Sequence, residues 1–186
     1  MLVVLGKTAS GKTSIVNELE TNHNYKQIIT YTTRPIRDGE IQDKTYHFIT
    51  EEEFLQKVDN NFFAEWKTYN TIYGDWYYGS AREDYQTETE NDKNVIILTP
   101  DGYRDVIKAL GYKPPSIYIY ASDEIIKQRL IERGDDPKEA ERRLEHDTDD
   151  FKDVELLVNM VISNDGDKSL DEVVDKIIRL EELENW

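Results

Sequence analysis

Gly6-Lys7-Thr8-Ala9-Ser10-Gly11-Lys12-Thr13 sets two glycines five positions apart and follows the second with Lys and Thr. The apolar stretch Leu2 to Leu5 comes directly before it, and Ile15, Val16 and Leu19 share one helical face directly after it. Strand, glycine-bounded loop and helix, in that order, is the setting a phosphate-binding loop requires. Glycine lets the backbone wrap close to phosphate, while the loop N–H groups and the helix N-terminus stabilise the anion. Lys12 can then reach the β/γ oxygens, and the Thr13 hydroxyl can ligate Mg²⁺. The cradle comprises Gly6, Ala9, Ser10, Gly11, Lys12, Thr13 and Ser14. Nucleotide chemistry follows from it, with GTPase, ATPase and kinase all open at this point.

Short apolar runs recur at Leu2 to Leu5, Val95 to Leu98, Ile117 to Tyr120 and Leu156 to Ile162, separated by polar, helix-patterned sequence. Strands buried on both faces look like this, and their alternation with helices predicts an α/β fold with a central parallel sheet. Gln27 to Thr32, rich in Ile and Thr, reads as a fifth strand. Thr50 with Glu53 and Ser169 with Glu172 have capping-box spacing, and Asp136 before Pro137 marks another helix start. In the last helix Leu170, Val173, Val174, Ile177 and Ile178 form one apolar stripe. Residues 34 to 94 break the β/α rhythm and are too long for a plain loop, so they read as an inserted lobe of mixed strands and a helix. Glu132 to Asp150, almost wholly polar, suits a lid. The expected organisation is one domain over 1–186, with a core of about 1–33, 94–128 and 151–186, a substrate lobe of about 34–93 and a short helical lid of about 129–150.

Charge narrows the partners. The 39 acidic residues against 23 basic leave a net charge of −16, which repels phosphate backbones and anionic membranes. No nucleic-acid partner and no membrane partner are expected, and an anionic substrate needs a local cluster of Arg and Lys. With no cysteine there is no disulfide framework and no thiolate nucleophile. No apolar run reaches the ~18 residues of a membrane span and no leader is recognisable, so the expected setting is the cytoplasm. His23, His47 and His146 have no partner at metal-ligand spacing.

Such a cluster begins at Arg34 and Arg37, with Pro35 stiffening the backbone between them. Two guanidinium forks three residues apart can converge on one phosphate, and the Tyr46 and Tyr78 hydroxyls can complete the ring of donors. The competing reading is a pair of surface arginines held by Asp38 and Glu40. The block Thr32-Thr33-Arg34-Pro35 through Arg37, Gly39-Glu40 and Tyr46-His47-Phe48, followed by Phe63-Ala64-Glu65-Trp66 and Tyr77-Tyr78-Gly79-Ser80, resembles the guanylate kinase family, and the likeness covers most of the chain.

The resemblance implies a P-loop NTPase three-layer fold with an inserted nucleotide-monophosphate lobe. It also implies ATP-dependent, Mg²⁺-dependent phosphorylation of GMP, and of dGMP, to GDP. It assigns Glu65 to the guanine N1–H and N2–H₂ edge, with Thr30 facing O6 and Ser80 near the base. Arg34, Arg37, Glu40, Tyr46, Tyr78 and Asp101 complete the acceptor set. Arg129, Arg133 and Arg143 correspond to the lid arginines that join Lys12 and Arg34 in catalysis, with Arg142 as the alternate for Arg143. Asn164, in Ser163-Asn164-Asp165, corresponds to the adenine-side loop. Where the family carries a paired-aspartate strand end, this chain has Leu98-Thr99-Pro100-Asp101-Gly102, and Glu65 to Tyr78 is longer than the family pattern. The oligomeric state is open between monomer and homodimer. Two other readings stay open: a kinase of this scaffold acting on another nucleotide or a sugar phosphate, and a non-catalytic module that binds phosphopeptides through Arg34, Arg37 and Tyr46.

Overall fold

The computed structural model describes residues 1–71, 73–85 and 93–184. Five parallel strands form the central sheet: β1 (Leu2–Leu5), β2 (Tyr25–Gln27), β7 (Lys93–Ile97), β8 (Ser116–Tyr120) and β9 (Met160–Ser163), in the spatial order β2-β7-β1-β8-β9. All four pairings are parallel.

Strand β1 shows why the sheet has two covers, since its side chains alternate between faces. Leu2 and Val4 pack with Ile15, Val16 and Leu19 of α1 (Lys12–Asn22) and with Val173, Val174 and Ile177 of α6 (Leu170–Glu184). Val3 and Leu5 point the other way, onto Tyr103 and Val106 of α3 (Pro100–Leu110) and onto Phe151, Val154 and Val158. Helix, sheet and helix therefore make three layers.

A second sheet of mixed direction, ordered β4-β3-β6-β5, holds β3 (Tyr31–Thr32), β4 (His47–Phe48), β5 (Phe63–Thr71) and β6 (Gly74–Ala81). Helix α2 (Glu51–Asp59) packs Phe54 on Phe63 at 4.4 Å between ring centroids. Helices α4 (Asp123–Arg133) and α5 (Pro137–Asp150) meet through Ile126, Leu130, Ala140 and Leu144.

The capping boxes at Thr50 and Ser169 are both formed. Two strand expectations change. The apolar run 27–32 divides between the sheets: Ile28 N–H still bonds to Val95 O at 2.9 Å, while Thr30 O already accepts His47 N–H at 2.9 Å. The second sheet thus begins at Tyr31, ahead of position 34. In the run 156–162 only the end is strand, because Val154–Leu156 forms a 3₁₀ turn that leaves Leu156 exposed and turns Val154 and Val158 into the core. Leu170 is also more exposed than the stripe predicts, since it opens α6 at the surface. Among the described residues no helix is long and apolar enough to cross a membrane.

Candidate active site

The P-loop leaves the carboxyl end of β1 and ends at Lys12, the first residue of α1. Gly11 has φ +100°, where a side chain would be strained, and a Cβ there would lie 2.3 Å from Asn164 Nδ2. Gly6 is equally constrained, since a Cβ would meet Ser10 Oγ at 2.5 Å and Ile119 O at 2.9 Å. The Ser10 hydroxyl is buried and makes no hydrogen bond among the described residues. Lys12 Nζ donates to Gly6 O at 2.7 Å and Lys7 O at 2.8 Å. Burial lowers its pKa to about 8, with the Asp147 carboxylate opposing and Arg133 adding to the fall. Thr13 and Ser14 stand exposed on the first turn of α1.

Asn164 and Arg129 brace this loop from behind. Asn164 Nδ2 donates to Ser10 O at 2.7 Å, and Arg129 donates to Ala9 O at 3.3 Å and Asn164 O at 2.8 Å. These bonds give the loop carbonyls the donors that buried backbone oxygens need.

Opposite the P-loop, across a cavity of about 340 Å³, stand Arg34, Arg37, Tyr46, Tyr78 and Arg143. Arg34 is 4% exposed, with its guanidinium over the rings of Tyr46 and Phe48 at 5.0 and 5.4 Å. Glu40 takes two of its N–H groups at 2.6 and 2.5 Å and also accepts the Arg37 backbone N–H at 2.8 Å. Glu40 does not line the cavity. Its carboxylate is used on Arg34 and so orients the arginine. Arg37 has its pKa lowered by burial and by the charges of Arg34 and Arg143 beside it. With Arg142, four arginines line one cavity in a chain of net charge −16, which makes it a local anion site.

Glu65 and Thr30 line the same cavity. The hairpin register shifts between Phe63 and Glu65, pairing Phe63 with Ala81 but Glu65 with Ser80. That bulge aims Glu65 where an unbroken register would have put Ala64. Glu65 is 8% exposed and accepts from Ser80 Oγ at 2.7 Å. Burial pushes its pKa up to about 7 against the Ser80 hydrogen bond. Gly102 makes room for it: a Cβ there would lie 3.1 Å from Glu65 Oε2.

The polar stretch after α4 is mostly helix, and α5 brings Arg142, Arg143 and Asp147 to the cavity wall. Arg143 therefore reaches the cavity, as does its alternate. Arg133 does not line it; its guanidinium forks onto Asp135 at 2.5 and 2.6 Å, and Arg143 approaches the same carboxylate at 3.7 Å. Asp147, missed in the sequence, accepts the Thr8 N–H at 2.5 Å. Burial raises its pKa, while that N–H and Lys12 oppose the rise. A lone Asp in a polar helix carries no signal of such a role.

Asp101 also moves. Thr99 caps α3, accepting the Gly102 N–H at 3.1 Å, with Pro100 in the first turn. The helix therefore starts at the strand end, and Asp101 turns outward to Arg104 at 2.9 Å. Thr99 faces the cavity in its place, beside Tyr69, Thr71 and Trp76 from the long hairpin. The unusual length of that hairpin was the visible signal; which of its side chains turn inward was not.

A family model described as "Guanylate kinase" matches residues 1–181. The guanylate kinase of Wolinella succinogenes is 31% identical over 170 residues, covering 89% of this chain and 77% of that protein. That of Helicobacter hepaticus is 30% identical over 169 residues, covering 89% and 82%. The crystal structure of guanylate kinase from Anaplasma phagocytophilum superposes with a TM-score of 0.70 at 23% identity, covering 99% of this chain and 85% of that one, and so shares its fold. With its phosphate loop, its three-layer sheet and this match over nearly its full length, the chain belongs to the guanylate kinase family.

Proposed function

We propose that the protein transfers the γ-phosphoryl group of ATP to GMP, and to dGMP, giving GDP and ADP. The observation that carries this reading is one cavity lined by the P-loop residues Gly6, Thr8 and Lys12, by Arg34, Arg37 and Arg143, and by a buried carboxylate, Glu65. The P-loop suits triphosphate, the guanidinium cluster suits a monophosphate, and a carboxylate suits the paired N–H donors of guanine.

The donor set fits an anion in this structure, since the Thr8 N–H already holds a carboxylate oxygen of Asp147. Among the described residues no acidic cluster could hold a metal ion by itself. Mg²⁺ would be held by Thr13 together with phosphate oxygens and water, supplying charge neutralisation on the transferring group. The acceptor phosphate is already an anionic nucleophile, so this chain's residues need no strong general base. Lys12, Arg34, Arg37 and Arg143 align the two phosphates and stabilise the charge that spreads during in-line transfer. Arg133 joins them only if its fork on Asp135 opens. Glu40, Arg129 and Asn164 act by holding the groups that do the chemistry.

A coupled assay of ADP formation with ATP, Mg²⁺ and a panel of GMP, dGMP, AMP, CMP, UMP and ribose phosphates tests this. Turnover confined to GMP and dGMP is the expected result. Preferred turnover of any other acceptor overturns the guanine assignment, and no turnover with any acceptor favours a binding module.

A further inference from the structure

The base pocket has a second layer. Ser80 Oγ, wholly buried, lies 2.7 Å from Glu65 Oε1 and 2.6 Å from the hydroxyl of Tyr85, itself 4% exposed. Tyr85 ends the 3₁₀ turn Glu83–Tyr85 that follows β6. With Glu65 ionised, the order of protons in this chain is forced. An ionised carboxylate only accepts, so the single Ser80 proton points to Glu65, and Tyr85 must then donate to Ser80. Burial, with Glu65 and Asp84 nearby, raises the Tyr85 pKa and keeps it a donor.

We propose that Tyr85 is a positioning residue for base recognition, orienting the Ser80 hydroxyl so that it donates to Glu65 and holds that carboxylate in place for the guanine edge. The proposal rests on the guanine reading above. Hydrogen bonds in series polarise one another, so a donor to Ser80 strengthens the bond Ser80 makes. The other side of Glu65 is bounded by Gly102, where any side chain would press on Oε2. Relay and glycine thus confine the carboxylate from two sides and leave the cavity face to a ligand. The titratable groups around Glu65 are Lys67 and Tyr69 on its own strand, Asp105 on α3 and Tyr85.

The test compares wild type with Tyr85→Phe, Ser80→Ala and the double variant. KM for GMP, KM for ATP and kcat are measured between pH 5.5 and 8.5. Tyr85→Phe keeps the buried ring and should raise KM for GMP by about fivefold, the weight of one neutral hydrogen bond. KM for ATP and kcat should stay within about twofold. The pH below which KM for GMP climbs should move upward, because a weakened Ser80 bond stabilises the ionised carboxylate less. In the Ser80→Ala background Tyr85→Phe should add nothing.

An unchanged KM for GMP in Tyr85→Phe overturns the relay. So does an equal effect with and without Ser80, or a parallel rise in both KM values at an unmoved pH midpoint. A wild type indifferent between GMP and AMP overturns the guanine reading itself; a GMP-selective wild type with an unaffected Tyr85→Phe overturns only the relay.

Discussion

At the P-loop end of the cavity the groups that suit phosphate are paired with the chain itself. Lys12 bonds to two loop carbonyls, and the Thr8 N–H bonds to Asp147. On the acceptor side the polar groups are held in position by other residues of the chain: Ser80 and Tyr85 hold the Glu65 carboxylate, and Glu40 holds Arg34. Binding at the first end must exchange existing bonds for new ones, whereas binding at the second adds bonds to a framework already set. Affinity for the triphosphate is therefore open to tuning by removing an internal competitor. Acceptor selectivity is a matter of which groups are left unpaired.

The largest effect expected from that contrast is base choice. On the function proposed above, guanine would present N1–H and N2–H₂ to Glu65 and O6 to Thr30. Adenine presents an N1 acceptor to the same carboxylate and leaves a buried charge unpaired. Sites that reject a ligand in this way discriminate by roughly 10⁴ or more, so GMP should exceed AMP in kcat/KM by at least about a thousandfold. Glu65→Gln should lower kcat/KM for GMP by about 10- to 100-fold, as a hydrogen bond to a charged acceptor is lost. Similar kcat/KM values for the two nucleotides in the wild type would place base recognition elsewhere.

Next in size is Lys12→Ala, which should reduce kcat by about 10²- to 10³-fold while leaving GMP binding intact, because the charge acts on the transferring group. Circular dichroism and isothermal titration with GMP separate this from unfolding. A variant retaining more than a tenth of the wild-type rate would mean less than ~1.4 kcal/mol came from Lys12.

The two ends also differ in how readable they were. The P-loop is eight contiguous residues whose spacing encodes a backbone shape, so its whole cradle could be named from the sequence. The acceptor pocket draws on positions from Thr30 to Thr99, and there residue types were legible while directions were not. Arg34 was found, but whether Glu40 would face the ligand or the arginine depended on a turn that brings the carboxylate back six residues. Asp101 faces Arg104 because a threonine cap and a proline start α3 directly after the strand, a local turn that residue type alone does not announce. Glu65 meets Ser80 only through a one-residue bulge, which no alternation pattern in Phe63-Ala64-Glu65-Trp66 announces.

A pH series distinguishes a preset carboxylate from an adaptable one. The Glu65 pKa lies near 7, above its ordinary 4.5, chiefly through burial. The ionised form is the one that accepts from guanine, so KM for GMP should be flat above about pH 8 and rise as pH falls through 7, approaching tenfold per unit. Fold stability should run the other way. A raised carboxyl pKa contributes stability fully below about 4.5 that is lost as pH rises towards 7. The melting temperature and the affinity for GMP, read as 1/KM, should therefore show opposite slopes over the same pH range from this one group, and Glu65→Gln should remove both.

The smallest effect tests the P-loop end. Asp147 carries a carboxylate to the Thr8 N–H, in the cavity where phosphate oxygens arrive. Its charge supports Lys12 but repels a triphosphate, and the triphosphate brings far more negative charge to Lys12 than one aspartate does. Asp147→Asn keeps an acceptor oxygen for Thr8 and removes only the charge. KM for ATP should then fall by about three- to tenfold, the size expected for one like charge at close range in a partly screened site. KM for GMP should move less, since Arg34, Arg37 and Glu65, proposed to hold GMP, make no hydrogen bond to Asp147. The difference between wild type and variant should shrink at high salt, because screening weakens charge repulsion more than a hydrogen bond. A raised KM for ATP would instead mean that Asp147 helps hold α5 over the loop during binding. The P-loop would then be preset as the acceptor pocket is, and the contrast between the two ends would be lost.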